Sequence, residues 1–119
     1  MILVVGGAYQ GKMEYVKSHY PEDYLLIPDY HLEIKKQLEE GSNPMEEAKQ
    51  FVRLSSSLKS EEKDLIIVCD EVGSGVVPME AFDRRYREMT GRVCCYFAQE
   101  ATEVVRVIAG IGTKIKAVS

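Results

Sequence analysis

The chain has 119 residues, of which 45% are hydrophobic and 29% charged, and its formal net charge is −4. These values predict a single folded domain over residues 1–119, exclude a disordered chain, and argue against a nucleic-acid or anionic-membrane partner. No apolar run reaches the roughly 18–20 residues that span a bilayer, and residues 1–5 carry no basic leader, so we expect a soluble, cytoplasmic protein.

The first half of the chain alternates short aliphatic runs with helical patterns. Continuous aliphatic runs are typical of strands buried on both faces, and Asp, or Asn followed by Pro, is typical of a helix start. The predicted elements are a strand at Ile2–Val5, a helix from Gly11 to the residue before Pro21, a strand at Tyr24–Ile27, a helix from the cap Asp29 to Glu40, and a helix from the cap Asn43 to Leu58.

The second half continues the alternation. The predicted elements are a strand at Leu65–Cys69, a flexible loop at Gly73–Gly75, a helix from Pro78 to about Ala101, a strand at Val104–Ala109, a turn at Gly110–Gly112 and an edge strand at Lys114–Val118. Strands that alternate with helices predict a three-layer α/β domain with a mainly parallel sheet.

The strongest chemical signal is a glycine-rich segment between the first strand and the first helix, Gly6–Lys12, which we call the glycine loop. It fits the pattern G-x-x-x-x-G-K, in which backbone N–H groups surround phosphate oxygens and the lysine reaches the β- and γ-phosphates. The alternative is a turn that once bound nucleotide or only joins strand to helix. The nucleotide-binding candidates are Gly6, Gly7, Ala8, Tyr9, Gln10, Gly11, Lys12 and Met13.

Met13 stands where this motif has a Ser or Thr that holds Mg²⁺. A thioether is a poor ligand for this hard cation, so we expect Mg²⁺ to contribute weakly. Asp70 and Glu71 end the most apolar strand, where a carboxylate can contact Mg²⁺ or take up a proton; the alternative is a loop cap. Lys12, Asp70 and Glu71 are therefore the catalytic candidates, with Asp70 a possible Mg²⁺ contact.

The remaining polar and sulfur side chains give weaker signals. Arginines of the long helix can face a phosphate or a neighbouring subunit, or form a solvated basic face. His19 and His31 are isolated in sequence, which favours surface or helix-end positions. The three cysteines, Cys69, Cys94 and Cys95, lack the spacing of a zinc site, so we predict reduced thiols.

The C-terminal half also carries a set of short motifs. They are the run from Asp70 to Pro78, Arg84-x-x-Arg87, Gly91-Arg92-Val93, Glu103-Val104, and Gly110-Ile111-Gly112-x-Lys114-Ile115-Lys116. Together they resemble the adenosylcobinamide kinase / adenosylcobinamide-phosphate guanylyltransferase family of cobalamin biosynthesis, and the glycine loop is similar to that family's phosphate loop. The chain is identified as a shortened, divergent member.

The resemblance implies a P-loop fold that assembles as a trimer and uses ATP or GTP. It implies phosphorylation of the aminopropanol hydroxyl of cobinamide, followed by GMP transfer through a histidine intermediate. Carried over by position, the phosphate-holding residues would be Gly6, Gly7, Gly11 and Lys12, and the family's site region would include Glu71, Arg84, Arg87 and Arg92.

The chain departs from the family at several positions. Met13 replaces the family's Ser, and Asp70 replaces its usual Asn. The segment that carries the family's guanylylated histidine has no counterpart before Tyr24–Ile27, so we expect guanylyl transfer to be lost. Three functions stay open: a nucleotide-dependent kinase for a cobinamide-like alcohol, a nucleotide-binding protein without turnover, and an oligomeric interaction module.

Overall fold

Residues 1–20, 23–71 and 80–118, which the computed structural model describes, contain five strands and four helices. The predicted Gly73–Gly75 loop and the boundaries at Pro21 and Pro78 lie outside these residues. No helix in the described ranges is long and apolar enough to cross a bilayer. The elements are β1 (Ile2–Gly6), α1 (Lys12–His19), β2 (Tyr24–Ile27), α2 (Tyr30–Glu39), α3 (Pro44–Lys59), β3 (Asp64–Asp70), α4 (Ala81–Glu100), β4 (Glu103–Ile108) and β5 (Ile111–Ala117).

The strands form one sheet in the order β2-β3-β1-β4-β5. The first four strands are parallel, and β5 pairs antiparallel with β4, which confirms the predicted mainly parallel α/β sheet. In the register of β1 and β3, Gly6 lies opposite Asp70. The carboxyl end of β1, where the glycine loop begins, therefore meets the carboxyl end of β3.

Helices cover both faces of the sheet, which confirms the predicted three layers. On one face, Tyr15 and Val16 of α1 pack with Val4 of β1. On the other face, helices α2, α3 and α4 pack over alternate strand residues, among them Leu3 and Ile67. Full burial of each aliphatic side chain stabilises the fold by about 1.5–3 kcal/mol.

The first turn of α2 is fixed by an aromatic cluster rather than by a side-chain cap. Asp29 is the N-cap residue, as predicted, but its backbone is left-handed, with φ 52°, and its side chain makes no cap hydrogen bond; its carbonyl accepts from Leu32 N–H at 2.9 Å. Tyr30 is fully buried, and its ring meets Phe51 and Phe97 edge-on at 5.5 and 5.1 Å. Such aromatic pairs contribute about 0.5–1.5 kcal/mol beyond burial. The next residue, His31, is thereby held at the end of the sheet.

The turn between β4 and β5 starts earlier than the sequence predicts. The turn of this hairpin is Ala109-Gly110, with φ 50° and 79°, and β5 starts at Ile111 rather than at Lys114. Two consecutive positive φ angles give the turn a backbone twist that matches the right-handed twist of the two paired strands. A Cβ on Gly112 would lie 2.2 Å from the Tyr15 ring, so glycine at this position lets α1 pack against the hairpin.

Candidate functional site

The glycine loop connects β1 to α1 through two left-handed residues. Tyr9 has φ 60° and Gly11 has φ 88°, and Gly11 is the N-cap of α1. The first intrahelical bond runs from Tyr15 N–H to Gly11 O at 3.0 Å. The N–H groups at the start of an α-helix lack intrahelical partners, and the helix dipole adds positive potential there. The loop can therefore stabilise an anion.

The β4–β5 hairpin fixes the position of the glycine loop. Gln10 Oε1 accepts from Ala109 N–H at 2.6 Å, and Gln10 O accepts from Gly110 N–H at 2.8 Å. A Cβ on Gly11 would lie 3.3 Å from Gly110 Cα, so the two backbones are in close contact. Gln10, a nucleotide-binding candidate, is thus also an anchor between the loop and the hairpin.

Lys12 is the charged centre of the site. Its side chain is only 7% exposed. The ammonium Nζ donates to Gly7 O at 2.6 Å and forms an ion pair with Asp70 Oδ1 at 2.6 Å. These two catalytic candidates come together because β1 and β3 are adjacent and end at the same edge of the sheet. The ammonium is pre-positioned within the glycine loop.

His31 lies against the other side of Asp70, although no partner stands near it in the sequence. Asp70 N–H donates to His31 Nδ1 at 3.0 Å, and Nε2 lies 3.4 Å from Asp70 Oδ2. An acceptor Nδ1 places the proton of a neutral imidazole on Nε2, facing the carboxylate. His31 is 8% exposed. His31 is the second residue of α2, so the predicted helix-end position is confirmed, but it has a carboxylate partner that its spacing in the sequence did not indicate. Its position just after β2, the strand beside β3, is the sequence feature that places it near Asp70.

Glu71 is paired with an arginine that the sequence analysis did not single out. Arg106 Nε lies 3.0 Å from Glu71 Oε1, and Arg106 Nη2 donates to Glu71 Oε2 at 3.0 Å. This two-bond arrangement fixes the orientation of both side chains. Glu71 N–H donates to Gly6 O at 2.7 Å, which extends the β1–β3 contact by one residue. Glu71 thus borders the site from the β4 side.

A cleft of about 400 Å³ lies beside these groups. We call it the loop cleft. Ala8 and Tyr9 at its rim are exposed, while Met13 is half-buried and packs against the α1-side core. The cleft is lined by Ala8, Tyr9, Gln10, Gly11, Lys12, Met13, Glu14, Asp29, Leu32, Val68 and Asp70.

The donors at this site do not fit a resident Mg²⁺ ion. Lys12 holds Asp70 Oδ1, and His31 Nε2 faces Oδ2. Met13 brings no oxygen ligand into the loop cleft. Among the described residues, no group of three His, Cys, Asp or Glu side chains could hold a metal. The possible Mg²⁺ contact at Asp70 stays a prediction.

The arginines that the resemblance assigns to a family site, Arg84, Arg87 and Arg92, lie on α4, which packs on the opposite face of the sheet from α1. Arg92 pairs with Glu88 at 2.6 Å on the exposed side of the helix. Arg84 is exposed and Arg87 half-buried.

Nearby on α4, burial raises the pKa of Tyr86 to about 12, so its phenol stays protonated at neutral pH.

A comparison with protein-family models matches residues 13–115 to the family described as cobinamide kinase / cobinamide phosphate guanyltransferase. The chain belongs to this family. The match spans most of the chain and confirms the resemblance drawn from the motifs. Cobalamin biosynthesis is therefore the family's context.

Two curated relatives in this family align with part of the chain. Both are named bifunctional adenosylcobalamin biosynthesis protein CobU, one from Escherichia coli strain K12 and one from Salmonella typhimurium strain LT2. Each is 44% identical over 52 residues, which cover 44% of this chain and 29% of the relative. The match thus spans less than a third of either relative's length.

Proposed function

We propose that the glycine loop binds the phosphates of a nucleoside triphosphate and that the chain transfers the terminal phosphate to the hydroxyl of a cobinamide-like alcohol. The observation that carries the proposal is the placement of Lys12. Its buried ammonium sits at the start of α1, between a glycine-loop carbonyl and a carboxylate at the end of the neighbouring strand. The order of strand, glycine loop, lysine and helix supports a P-loop fold, which is part of the proposal.

The groups at the glycine loop suit a phosphate group, although three carboxylates, those of Glu14, Asp29 and Asp70, also line the loop cleft. The N–H groups of the first turn of α1 supply donors, and Lys12 supplies a positive charge. In the bound state the phosphate oxygens replace the Asp70 carboxylate as the partner of Lys12. This exchange keeps a buried ammonium paired throughout, which avoids the cost of leaving it uncompensated.

The transfer step forms a bond between the acceptor oxygen and the γ-phosphorus and breaks the bond to the β-phosphate oxygen. The nucleoside diphosphate leaves. Lys12 stabilises the charge on the transferring group. Asp70, released from Lys12, accepts the proton of the acceptor hydroxyl, and His31 holds this carboxylate in place.

Loss of guanylyl transfer is also part of the proposal. In His31, Nδ1 accepts from Asp70 N–H and Nε2 faces the Asp70 carboxylate, so both ring nitrogens are engaged. His19 lies at the C-terminal end of α1, about 10 Å of helix rise from Lys12. Its ring stacks on Tyr15 at 3.9 Å. These contacts support the proposal that neither histidine acts as the nucleophile of guanylyl transfer.

Nucleotide binding without turnover is the second candidate function. Met13 favours it, because the chain lacks the hydroxyl that positions Mg²⁺ on the phosphates. The same site residues then hold the nucleotide, but no acceptor is phosphorylated. The two functions share the binding step and differ in transfer alone.

Radioactive nucleotide separates these possibilities. We expect γ-labelled ATP or GTP, incubated with the protein and cobinamide, to give labelled cobinamide phosphate. We also expect α-labelled GTP to leave no label on the protein. Nucleotide binding without labelled product would favour the second candidate, whereas covalent α-label on the protein would contradict the loss of guanylyl transfer.

Met13→Ser is expected to strengthen Mg²⁺-dependent nucleotide binding. The serine hydroxyl restores an oxygen ligand beside Lys12, and each well-placed contact of this kind gives on the order of tenfold in affinity. Calorimetry with and without Mg²⁺ measures the change. Met13→Ala controls for lost packing of the half-buried thioether, and equal affinity of the two variants in Mg²⁺ would contradict the proposed loop geometry.

A homo-oligomer, a trimer by the family resemblance, completes the proposal. The β4–β5 hairpin supports it, since Ile108 and Ile111, which pair across its turn, are 55% and 71% exposed. Clustered exposed apolar side chains are typical of association surfaces. Sedimentation equilibrium tests it, with a mass three times that of the chain expected and a monomer at high micromolar concentration contradicting it.

A further inference from the structure

Two of the three cysteines face each other between β3 and α4. Cys69 Sγ and Cys94 Sγ lie 3.6 Å apart. Cys69 is buried near the end of β3, while Cys94 on α4 is half-buried and its neighbour Cys95 is exposed. The two facing thiols therefore differ in access to solvent, and neither takes part in the proposed phosphate chemistry.

An apolar cavity of about 240 Å³ gives access to Cys94. Val5, Cys94, Cys95 and Ile115 are among the residues that line it. Cys95 and Ile115 are exposed, so the cavity reaches the surface. Cys69 does not line it. A small reagent entering this cavity meets Cys94 before Cys69.

The contact between the thiols also separates their acidities. The pKa of Cys94 is lowered, because the Cys69 thiol can donate a hydrogen bond to its thiolate, although burial opposes this. The same bond and burial raise the pKa of Cys69. Since the thiolate is the reactive form of cysteine, Cys94 is the better nucleophile of the two.

We propose that Cys94 and Cys69 form a thiol–disulfide exchange pair that reacts with low-molecular-weight disulfides. The Cys94 thiolate attacks one sulfur of the small disulfide, and the S–S bond breaks to release one thiolate. Cys69 then attacks Cys94 Sγ, forms the Cys69–Cys94 bond and releases the second thiolate. The two cysteine protons leave with the two released thiols, so one disulfide is reduced as the pair is oxidised.

The Cys69–Cys94 disulfide would link β3 to α4. The sulfur atoms must approach from 3.6 Å to the usual S–S distance of about 2.05 Å. Cys69 directly precedes Asp70, so the link is formed one residue from the carboxylate that holds Lys12.

The test is oxidation of the reduced, folded protein with glutathione disulfide, followed by digestion and mass spectrometry. We expect a Cys69–Cys94 cross-link, a mass loss of about 2 Da from the intact chain, and Cys95 as the remaining titratable thiol after unfolding. Cys95→Ser, the matched control on the same helix, should form the same cross-link.

Cys94→Ser should leave Cys69 reduced, because the sulfur atom that Cys69 is proposed to attack is gone. Three results would overturn the proposal: no reaction at Cys94, a glutathione adduct on Cys94 that is never displaced by Cys69, or oxidation of Cys69 in the Cys94→Ser variant. None of these readouts requires nucleotide, so the result is independent of the proposed kinase function.

Discussion

Lys12→Ala is expected to weaken nucleotide binding by at least about 100-fold. The variant removes the buried ammonium and its charge-assisted bonds to phosphate, and two such bonds contribute about 3 kcal/mol together. It also leaves the Asp70 carboxylate without its partner at 2.6 Å, so repulsion between Asp70 and phosphate adds to the loss. Calorimetric titration with ATP and GTP measures the effect.

Lys17→Ala is the matched control for this experiment. Lys17 lies on the same helix but is exposed, so its removal should leave the affinity within about twofold. Circular dichroism of the Lys12→Ala protein distinguishes lost binding from lost structure. A folded Lys12→Ala variant with unchanged affinity would show that the glycine loop does not hold the phosphates.

Gly6→Ala is expected to destabilise the fold by about 3 kcal/mol, because core positions without space for an extra methyl force the backbone apart. A Cβ on Gly6 would lie 2.5 Å from the carbonyl oxygen of Val107. This neighbour is backbone of the paired region of β4, so it cannot rotate away as a side chain could. Urea unfolding followed by circular dichroism gives the change in free energy.

Gly91→Ala is expected to stabilise the fold, in contrast to Gly6→Ala. Gly91 is exposed inside α4, and a Cβ there would meet nothing within 4 Å. Alanine in a helix interior is favoured over glycine by about 0.5–1 kcal/mol, so this variant should be more stable than the parent. Equal stability of the Gly6→Ala and Gly91→Ala proteins would contradict the close contact between β1 and β4.

The parts of the site that are encoded locally could be predicted from sequence. The aliphatic run before Gly6 and the helical pattern after Gly11 place the glycine loop between a strand and a helix. Asp70 ends the most apolar strand, and parallel strands end at one edge of a sheet. The meeting of Lys12 and Asp70 therefore follows from the alternation of elements once β1 and β3 are neighbours.

The remaining contacts depend on tertiary packing, and no residue spacing encodes them. His31 reaches Asp70 because the burial of Tyr30 fixes the start of α2, and no spacing between His31 and Asp70 encodes this. Gln10 reads as a loop residue, yet it binds the turn of a hairpin about a hundred positions later. The facing of Cys69 and Cys94 likewise depends on how α4 packs against β3.

The most direct test of nucleotide binding at the glycine loop is calorimetric titration of the parent protein with ATP and with GTP, each with and without Mg²⁺. The placement of Lys12 predicts saturable binding of at least one nucleotide, with only a small gain from Mg²⁺ because Met13 supplies no hydroxyl. No binding up to millimolar nucleotide under either condition would contradict the proposed phosphate site.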